Sequence, residues 1–381
     1  MKLLITLVIF FTLLYALTIF VFLLGSLFKA KRNGHETPFV SVVVAARNEE
    51  KFIGRLVYDL SHQTYPKDKY EIIIANDGSS DSTAHILDTH QNNIDNLFVL
   101  HIKETPQGFS PKKFALHSAI NHSQGDIILA TDADCRVGSR WIETMISYFR
   151  KDVGFVIGFS QFGRKHESLS LLEKIQAFDF MQMMGAAIGS CNLGFPLAAS
   201  GQNMGYRRQA YNDVGGYERI AHRISGDDVL LLQLIRKETG YKVVFGNHPS
   251  SFATSKAEPT IKDFINQRQR WASNGSYQLR MNKLFFAYLL MVYLYHVVLL
   301  IATPLLLFSA AHLNVLLLCY AIKLSSELAI AMNSARIFRR TDLLLYFPLW
   351  FLIQIPYIVF VGGLGLFAKF DWKGRVHLPS Y

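Results

Sequence analysis

Residues 126 to 135 read DIILATDADC, an apolar run of the kind that fills a buried strand, ending on two carboxylates with only Ala133 between them. A carboxylate carried into a protein interior without a partner is costly, so something positive is expected to meet Asp132 and Asp134. Alternate carboxylates at a strand end suit a hard cation, Mg²⁺ or Mn²⁺, which takes few protein oxygens and keeps positions open for a diphosphate. A second acidic pair, Asp227 and Asp228, stands in SGDDVLL. Adjacent carboxylates repel, which raises the proton affinity of one of them, and such a group can take a proton from a hydroxyl nucleophile. Either acid could instead cap the helix expected to begin just after them.

The elements around these residues follow from hydrophobic pattern. Val/Ile-rich runs at 39–46, 70–77, 97–102 and 126–132 alternate with helical segments near 50–62, from Ser82, and at 111–122. Continuous apolar strands between amphipathic helices predict an α/β fold with a mostly parallel sheet covered on both faces. In such sheets ligands bind beyond the carboxyl ends of the strands. The first strand ends in AARNEE (45–50), the second in NDGSSDS (76–82) and the fourth in TDADC (131–135), so three polar clusters open onto one edge. Asn-Asp-Gly alone is a common turn and Ser80 or Asp81 alone a helix cap; three clusters at successive strand ends are a site. Neither GxxxxGK[ST] nor a GxGxxG after a strand is present, which disfavours a P-loop or dinucleotide site and leaves a metal-held nucleoside diphosphate.

The chain of 381 residues is 50% hydrophobic, and much of that is at its ends. Leu3 to Phe28 carries no charge and is followed by Lys29, Lys31 and Arg32, which reads as a retained anchor and not as a cleaved signal. Leu284–Ala311, Leu313–Ala331 and Leu343–Phe367 are each long enough to cross a bilayer. The expected domains are a transmembrane anchor at 1–28, a globular domain with interfacial helices at 29–283, a transmembrane cluster at 284–368 and a basic tail at 369–381. Basic residues after the first span and at Arg336, Arg339 and Arg340 place the globular domain in the cytoplasm of an integral membrane protein. Four spans put the tail outside, against its Lys369, Lys373 and Arg375; a re-entrant pair broken at Pro348 and Pro356 is the alternative. Three scattered cysteines imply no disulfide framework. The net charge of +10 comes without a nucleic-acid motif, so it is read as attraction to an anionic membrane face.

In order and spacing, NDGSSD, DAD (132–134), GDD (226–228) and QRQRW (267–271) resemble the motifs of the membrane-bound, inverting glycosyltransferases of family 2, which have the GT-A fold. The resemblance covers about Val40 to Trp271. It implies that Glu49 and Asp77 recognise the nucleoside, that Asp132 lies near the ribose and diphosphate, and that Asp134, with Asp132, holds the metal. SPKKFAL (110–116) resembles the family's phosphate-contacting stretch, through either Lys112 or Lys113. GQNMGYRRQAYNDVGGY (201–217) resembles the acceptor side of the pocket, and Asp228, preceded by Asp227 where the family more often has Glu, resembles the general base. Gln267, Arg270 and Trp271 are implied at the pocket mouth. The bland reading of QRQRW puts Arg268 and Arg270 on lipid headgroups and Trp271 in the membrane interface.

The Met-rich segment 165–190 is read as an amphipathic helix in the membrane interface or an ordinary core helix. Lys323 and Glu327, four apart in the third span, form an ion pair or line an acceptor path. WKGR (372–375) is similar to a tail motif of family members that glycosylate lipids, ceramide glucosyltransferases among them. These readings point to transfer of a sugar from a nucleotide-sugar, on UDP, to a membrane lipid or lipid-linked acceptor. A processive polysaccharide synthase is the alternative, although four spans leave little to enclose a polymer channel. A membrane nucleotidyltransferase would release pyrophosphate and leaves QRQRW unexplained; a scaffold gains nothing from clustered acids.

Overall fold

The computed structural model describes residues 1–32, 37–309, 311–367, 370–372 and 375–377, so Lys369 and Lys373 of the tail and the centre of WKGR lie outside the described residues. In chain order the elements are α1 (Lys2–Ser26), β1 (Val40–Ala46), α2 (Ile53–Ser61), β2 (Tyr70–Asp77), α3 (Thr83–Gln91), β3 (Leu97–Ile102), α4 (Pro111–His122) and β4 (Ile127–Ala130). There follow β5 (Arg136–Val137), α5 (Trp141–Ile146), β6 (Val153–Gly158), β7 (Ser160–Phe162) and α6 (Leu171–Asn192). Next are β8 (Met204–Arg207), α7 (Arg208–Asp213), α8 (Val229–Glu238), β9 (Lys242–Gly246) and β10 (Ala253–Ser255). The rest is α9 (Ile261–Ala272), α10 (Gln278–Met281), α11 (Lys283–Leu307), α12 (Leu313–Ile337), α13 (Phe347–Phe367) and a short antiparallel pair, Phe370–Trp372 with Arg375–His377. The chain forms two compact units: Lys29–Arg164 with Pro196–Lys256, and Met1–Phe28 with Lys165–Phe195 and Ala257–Tyr381.

The first unit is built on a seven-stranded sheet in the order β3-β2-β1-β4-β8-β6-β9. Its first four strands are parallel, with Val43 opposite both Ile73 and Ala130. Alternate residues Val40, Val42, Val44, Ile72, Ile74, Ile127 and Leu129 pack into one core with Ile53, Leu56 and Val57 of α2 and Trp141 and Met145 of α5. This burial of β-branched rows on both faces is what excludes water from a parallel sheet. A smaller sheet, β5-β10-β7, lies outside it. Arg136 donates from Nε and Nη2 to the two oxygens of Asp59 at 2.5 and 2.9 Å, and Val137 N–H also donates to Asp59, pinning the chain just after TDADC to α2. Asn203 joins three more segments: it accepts from the buried Trp141 indole at 3.0 Å and donates to the carbonyls of Phe159 and Ser251 at 2.8 and 2.7 Å.

Segment 201–217 differs from its expected placement. Met204–Arg207 is an internal strand, antiparallel to both β4 and β6, with Met204, Gly205 and Tyr206 buried. The middle of this segment is therefore core, with Gly201 and Gln202 just before the strand. The fourth strand also ends earlier than its apolar run suggests: after Ala130 the chain turns, with Cys135 N–H donating to Asp132 O at 3.0 Å.

In the second unit, among the described residues, four helical segments are long and apolar enough to cross a membrane: Lys2–Ser26, Lys283–Leu307, Leu313–Ile337 and Thr341–Gly365. The re-entrant alternative is not adopted: α13 runs without a break through Pro356, and Pro348 falls in its first turn, where a missing N–H costs no helical bond. Lys323 and Glu327 form the i,i+4 pair at 2.7 Å, and Glu327 also accepts from Tyr15 O–H at 2.8 Å and Gln354 Nε2 at 2.6 Å. Both charges are buried, and with these partners the carboxylate joins α1, α12 and α13.

The Met-rich helix packs as a core helix of the second unit. Along α6 residues from Ile175 to Cys191 are buried on almost every side, as expected of a helix apolar all round. It starts with a capping box between Ser170 and Glu173 and passes close to its neighbours through Gly185 and Gly189, a small-xxx-small spacing. A Cβ on Gly189 would stand 2.2 Å from Phe22 O of α1, one on Gly25 2.1 Å from Gly189 O, and one on Gly185 2.0 Å from Ser334 Oγ of α12. Gly189→Val should destabilise the detergent-solubilised chain by about 1–3 kcal/mol, because backbone cannot yield as a side chain does. Gly138→Ala, with nothing within 4 Å, should leave the melting temperature unchanged; scanning fluorimetry of the two variants checks this.

Candidate active site

The loops after β1 and β2 are laced together by their own polar atoms. Asn48, in a left-handed conformation (φ 53°), donates its N–H to Ser79 Oγ at 3.0 Å and accepts Ser80 N–H on Oδ1 at 2.9 Å. Glu49 N–H donates to Thr83 Oγ1, Glu50 N–H to Asp81, and Ser82 N–H to Glu50. Arg47 Nη1 donates to Asp77 O at 2.6 Å and lies 3.5 Å from Asp77 Oδ2. These contacts hold Glu49 and Asp77, both largely buried, at neighbouring strand ends. Gly78 turns the chain there at φ 55°, which an L side chain rarely adopts.

The charge expected opposite Asp132 is Lys112. Its Nζ lies 2.9 Å from Asp132 Oδ1 and 2.9 Å from Asp227 Oδ2, so one ammonium bridges the acid of the fourth strand end and the first acid of GDD. Burial alone would lower the pKa of Lys112, but the two carboxylates outweigh it and push the pKa up. Asp227 feels burial as an upward push and Lys112 and Lys113 as a stronger downward one, and its carboxyl is held below its usual range. Asp228 goes the other way. Burial and the charge of Asp227 push it up to about 6, despite N–H bonds from Val229 at 2.6 Å and Gly201 at 2.9 Å. Asp228 is also the N-cap of α8, so the capping role and the raised carboxyl belong to one residue.

The second lysine of SPKKFAL is turned elsewhere. Lys113 is fully buried, and its Nζ donates to the carbonyls of Arg223 and Ser225. Asp134 lies partly exposed beyond Ala133. Among the described residues no group of three or more His, Cys, Asp or Glu gathers as a metal cage. Asp132 and Asp134 fit a cation that needs few protein oxygens and completes its shell with phosphate and water, as Mg²⁺ and Mn²⁺ do, and not a closed structural site.

The QRQRW residues belong to the helical unit, on α9. Arg268 does not face headgroups: it is buried, 2.8 Å from Asp179 of α6, with its guanidinium 4.2 Å from the Trp271 ring centre and 5.0 Å from that of Phe264. Trp271, partly buried, tilts against Phe180, so the headgroup reading fails for Arg268. Gln267 donates to Glu258 at 2.8 Å, and Arg270 is partly exposed near the end of the helix. Sequence reasoning assigned no role to Arg47, Asp179 or the carbonyl partners of Lys113. Asp179, an acid among the apolar residues in the middle of α6, was the one signal available for them.

A mostly parallel sheet with acid clusters at the carboxyl ends of its strands defines a GT-A glycosyltransferase domain, here in a chain with four candidate spans. The chain belongs to glycosyl transferase family 21, whose model matches residues 4–377; that family shares a clan with the family-2 enzymes. It is 30% identical over 242 residues to a beta-monoglucosyldiacylglycerol synthase of Trichormus variabilis, covering 62% of this chain and 49% of that one. It is 28% identical over 246 residues to a poly-beta-1,6-N-acetyl-D-glucosamine synthase of Staphylococcus aureus, covering 64% and 56%. The chain thus spans about half the length of the curated relatives it matches. Its fold is that of a mannosyltransferase of Pyrobaculum calidifontis solved with GDP-mannose and Mn²⁺, with a TM-score of 0.62 at 16% identity over 95% of this chain and 98% of the other.

A methyl group on Gly201 would stand 2.9 Å from Asp227 Oδ2 and 3.4 Å from Lys112 Nζ. Gly201→Ala should therefore loosen the Lys112–Asp227 pair at a cost of about 1–3 kcal/mol near neutral pH. A carboxyl held below its usual range stabilises the folded chain above about pH 4 and loses that contribution as pH falls through its lowered pKa. The deficit of the variant, measured by unfolding across pH, should shrink in acid.

Proposed function

We propose that the chain transfers a sugar from a nucleotide-sugar, a UDP-sugar, to a hydroxyl of a membrane lipid with inversion at the anomeric carbon. The observation that carries this reading is the unlike surroundings of the adjacent acids: Lys112 Nζ lies 2.9 Å from Asp227 Oδ2, while Asp228 accepts the N–H groups of Val229 and Gly201. Asp227 stays ionised against Lys112, while Asp228, pushed up to about 6, is poised to accept a proton near neutrality. In the proposed step Asp228 takes the acceptor hydroxyl proton as that oxygen bonds to the anomeric carbon. The bond from that carbon to the donor diphosphate breaks on the opposite face, and the nucleoside diphosphate leaves. One displacement without a covalent enzyme intermediate inverts the centre.

Lys112, between Asp132 and Asp227, is the candidate for neutralising the leaving diphosphate, and its position favours it over the inward-turned Lys113. Asp132 and Asp134 would hold Mg²⁺ or Mn²⁺, which when bound supplies positive charge to the diphosphate oxygens. Glu49 and Asp77 are assigned to the nucleoside. The name of the Trichormus relative, a beta-monoglucosyldiacylglycerol synthase, supports a lipid acceptor. The basic residues after the first span support a catalytic domain on the cytoplasmic face of an integral membrane protein. The name of the staphylococcal relative keeps a polymer product as the second reading.

The test is UDP release by the full chain in lipid, over a panel of UDP-sugars with membrane lipid extract and Mg²⁺ or Mn²⁺. Asp228→Asn should lower the rate by about 10²–10⁴-fold. Because the base must be ionised, kcat/KM should rise with pH through about 6 and level off above it. A single new glycolipid supports lipid transfer and a product ladder the polymer reading; pyrophosphate release, or full activity of Asp228→Asn, overturns the mechanism.

A further inference from the structure

Lys113 is a charged side chain placed where physics opposes its charge. It is fully buried, and it sits in the first turn of α4, where the helix dipole disfavours a cation. Burial lowers its pKa to about 7, against the attraction of Asp227 and Asp228. An arrangement this costly persists only where its donors are used. Two of them go to the main-chain carbonyls of Arg223 and Ser225, the latter at 3.0 Å. Ser110 N–H, one turn earlier, donates to Ala221 O at 2.7 Å. One end of α4 thus holds segment 221–225 from below, just before Gly226 turns at φ 86° into Asp227 and Asp228. The neighbouring Lys112 takes Asp227 by its side chain.

We infer that Lys113 is a positioning residue, which acts through the carbonyls of Arg223 and Ser225 to set where Asp228 stands relative to the Lys112–Asp132 pair. It touches no substrate. Adjacent lysines divide the work: Lys112 faces the acids, and Lys113 fixes the backbone that carries them. The kinetic part rests on the reading of Asp228 as the base, whereas the structural part does not.

Lys113→Met keeps length and apolar packing but removes the donors. In the full chain in lipid nanodiscs, hydrogen–deuterium exchange should speed up about tenfold or more across 221–229 and stay at wild-type rates in β1, β2 and β4. With the UDP-sugar that the wild type turns over, kcat should fall about a hundredfold, the scale of a small misplacement of a catalytic group. The Kd for UDP should stay within about threefold, and Lys113→Gln, which keeps N–H donors, should recover about tenfold of the lost rate. Unchanged exchange at 221–229 overturns the clasp, as does failure of both variants to fold, which would make Lys113 a folding residue. Faster exchange with intact kcat overturns the kinetic role. If wild type itself turns over no sugar nucleotide, the functional reading falls while the exchange result still decides the clasp.

Discussion

Carboxylates collected at the end of an apolar sheet repel one another and lose hydration, and such a cluster holds only where cations are built in with it. Here the cation is the Lys112 ammonium, equidistant at 2.9 Å from Asp132 on the fourth strand end and Asp227 before α8. Those acids are 95 residues apart in sequence, so the bridge is a tertiary contact that the sheet must first create. Parallel β1, β2 and β4 bring the ends into line; α4 packs on β1 and β2 and delivers the lysine. The asymmetry of the GDD acids follows from the same bridge: the acid that touches the ammonium stays ionised, and its neighbour is left with burial and a like charge.

The helical unit uses a different economy of contacts. Lipid-like surroundings offer little gain from burying one leucine against another, so close approach and polar ties matter more. Gly25 and Gly189 let the backbones of α1 and α6 nearly touch, Glu327 collects donors from Tyr15, Lys323 and Gln354, and Arg268 pairs with Asp179 beneath Trp271. That last pair links α6, inserted between β7 and β8 in the chain, to the helix that carries QRQRW.

Much of this was legible in sequence where a local pattern carried the information. The strand at 70–77 and the helix at 111–122 came out at their observed bounds, and the long apolar helices to within about six residues, their ends running past or stopping short of the apolar run. The short strand at 204–207 was not, because four residues ending in Arg207 show no strand period and their pairing with β4 and β6 is decided by distant partners. The helix at 171–192 looked amphipathic through Gln, Lys and Asp residues whose partners come from elsewhere in the chain: Gln176 bonds Glu258 and Asp179 pairs with Arg268. Both acid pairs stood out by type and spacing, whereas the two lysines were reached through the resemblance of SPKKFAL to a family stretch. What each lysine does was not legible, since adjacent residues on one helix differ by about a hundred degrees in direction.

The most direct test of the central charge balance is isothermal titration calorimetry of UDP, with Mn²⁺ present, on the full chain and on Lys112→Met. A cation lost from beside the diphosphate should weaken the Kd about tenfold to a hundredfold, the range of a charge-assisted contact. Equal affinity in the two proteins would contradict the account and leave Lys112 as a structural counter-ion for Asp132 and Asp227 alone.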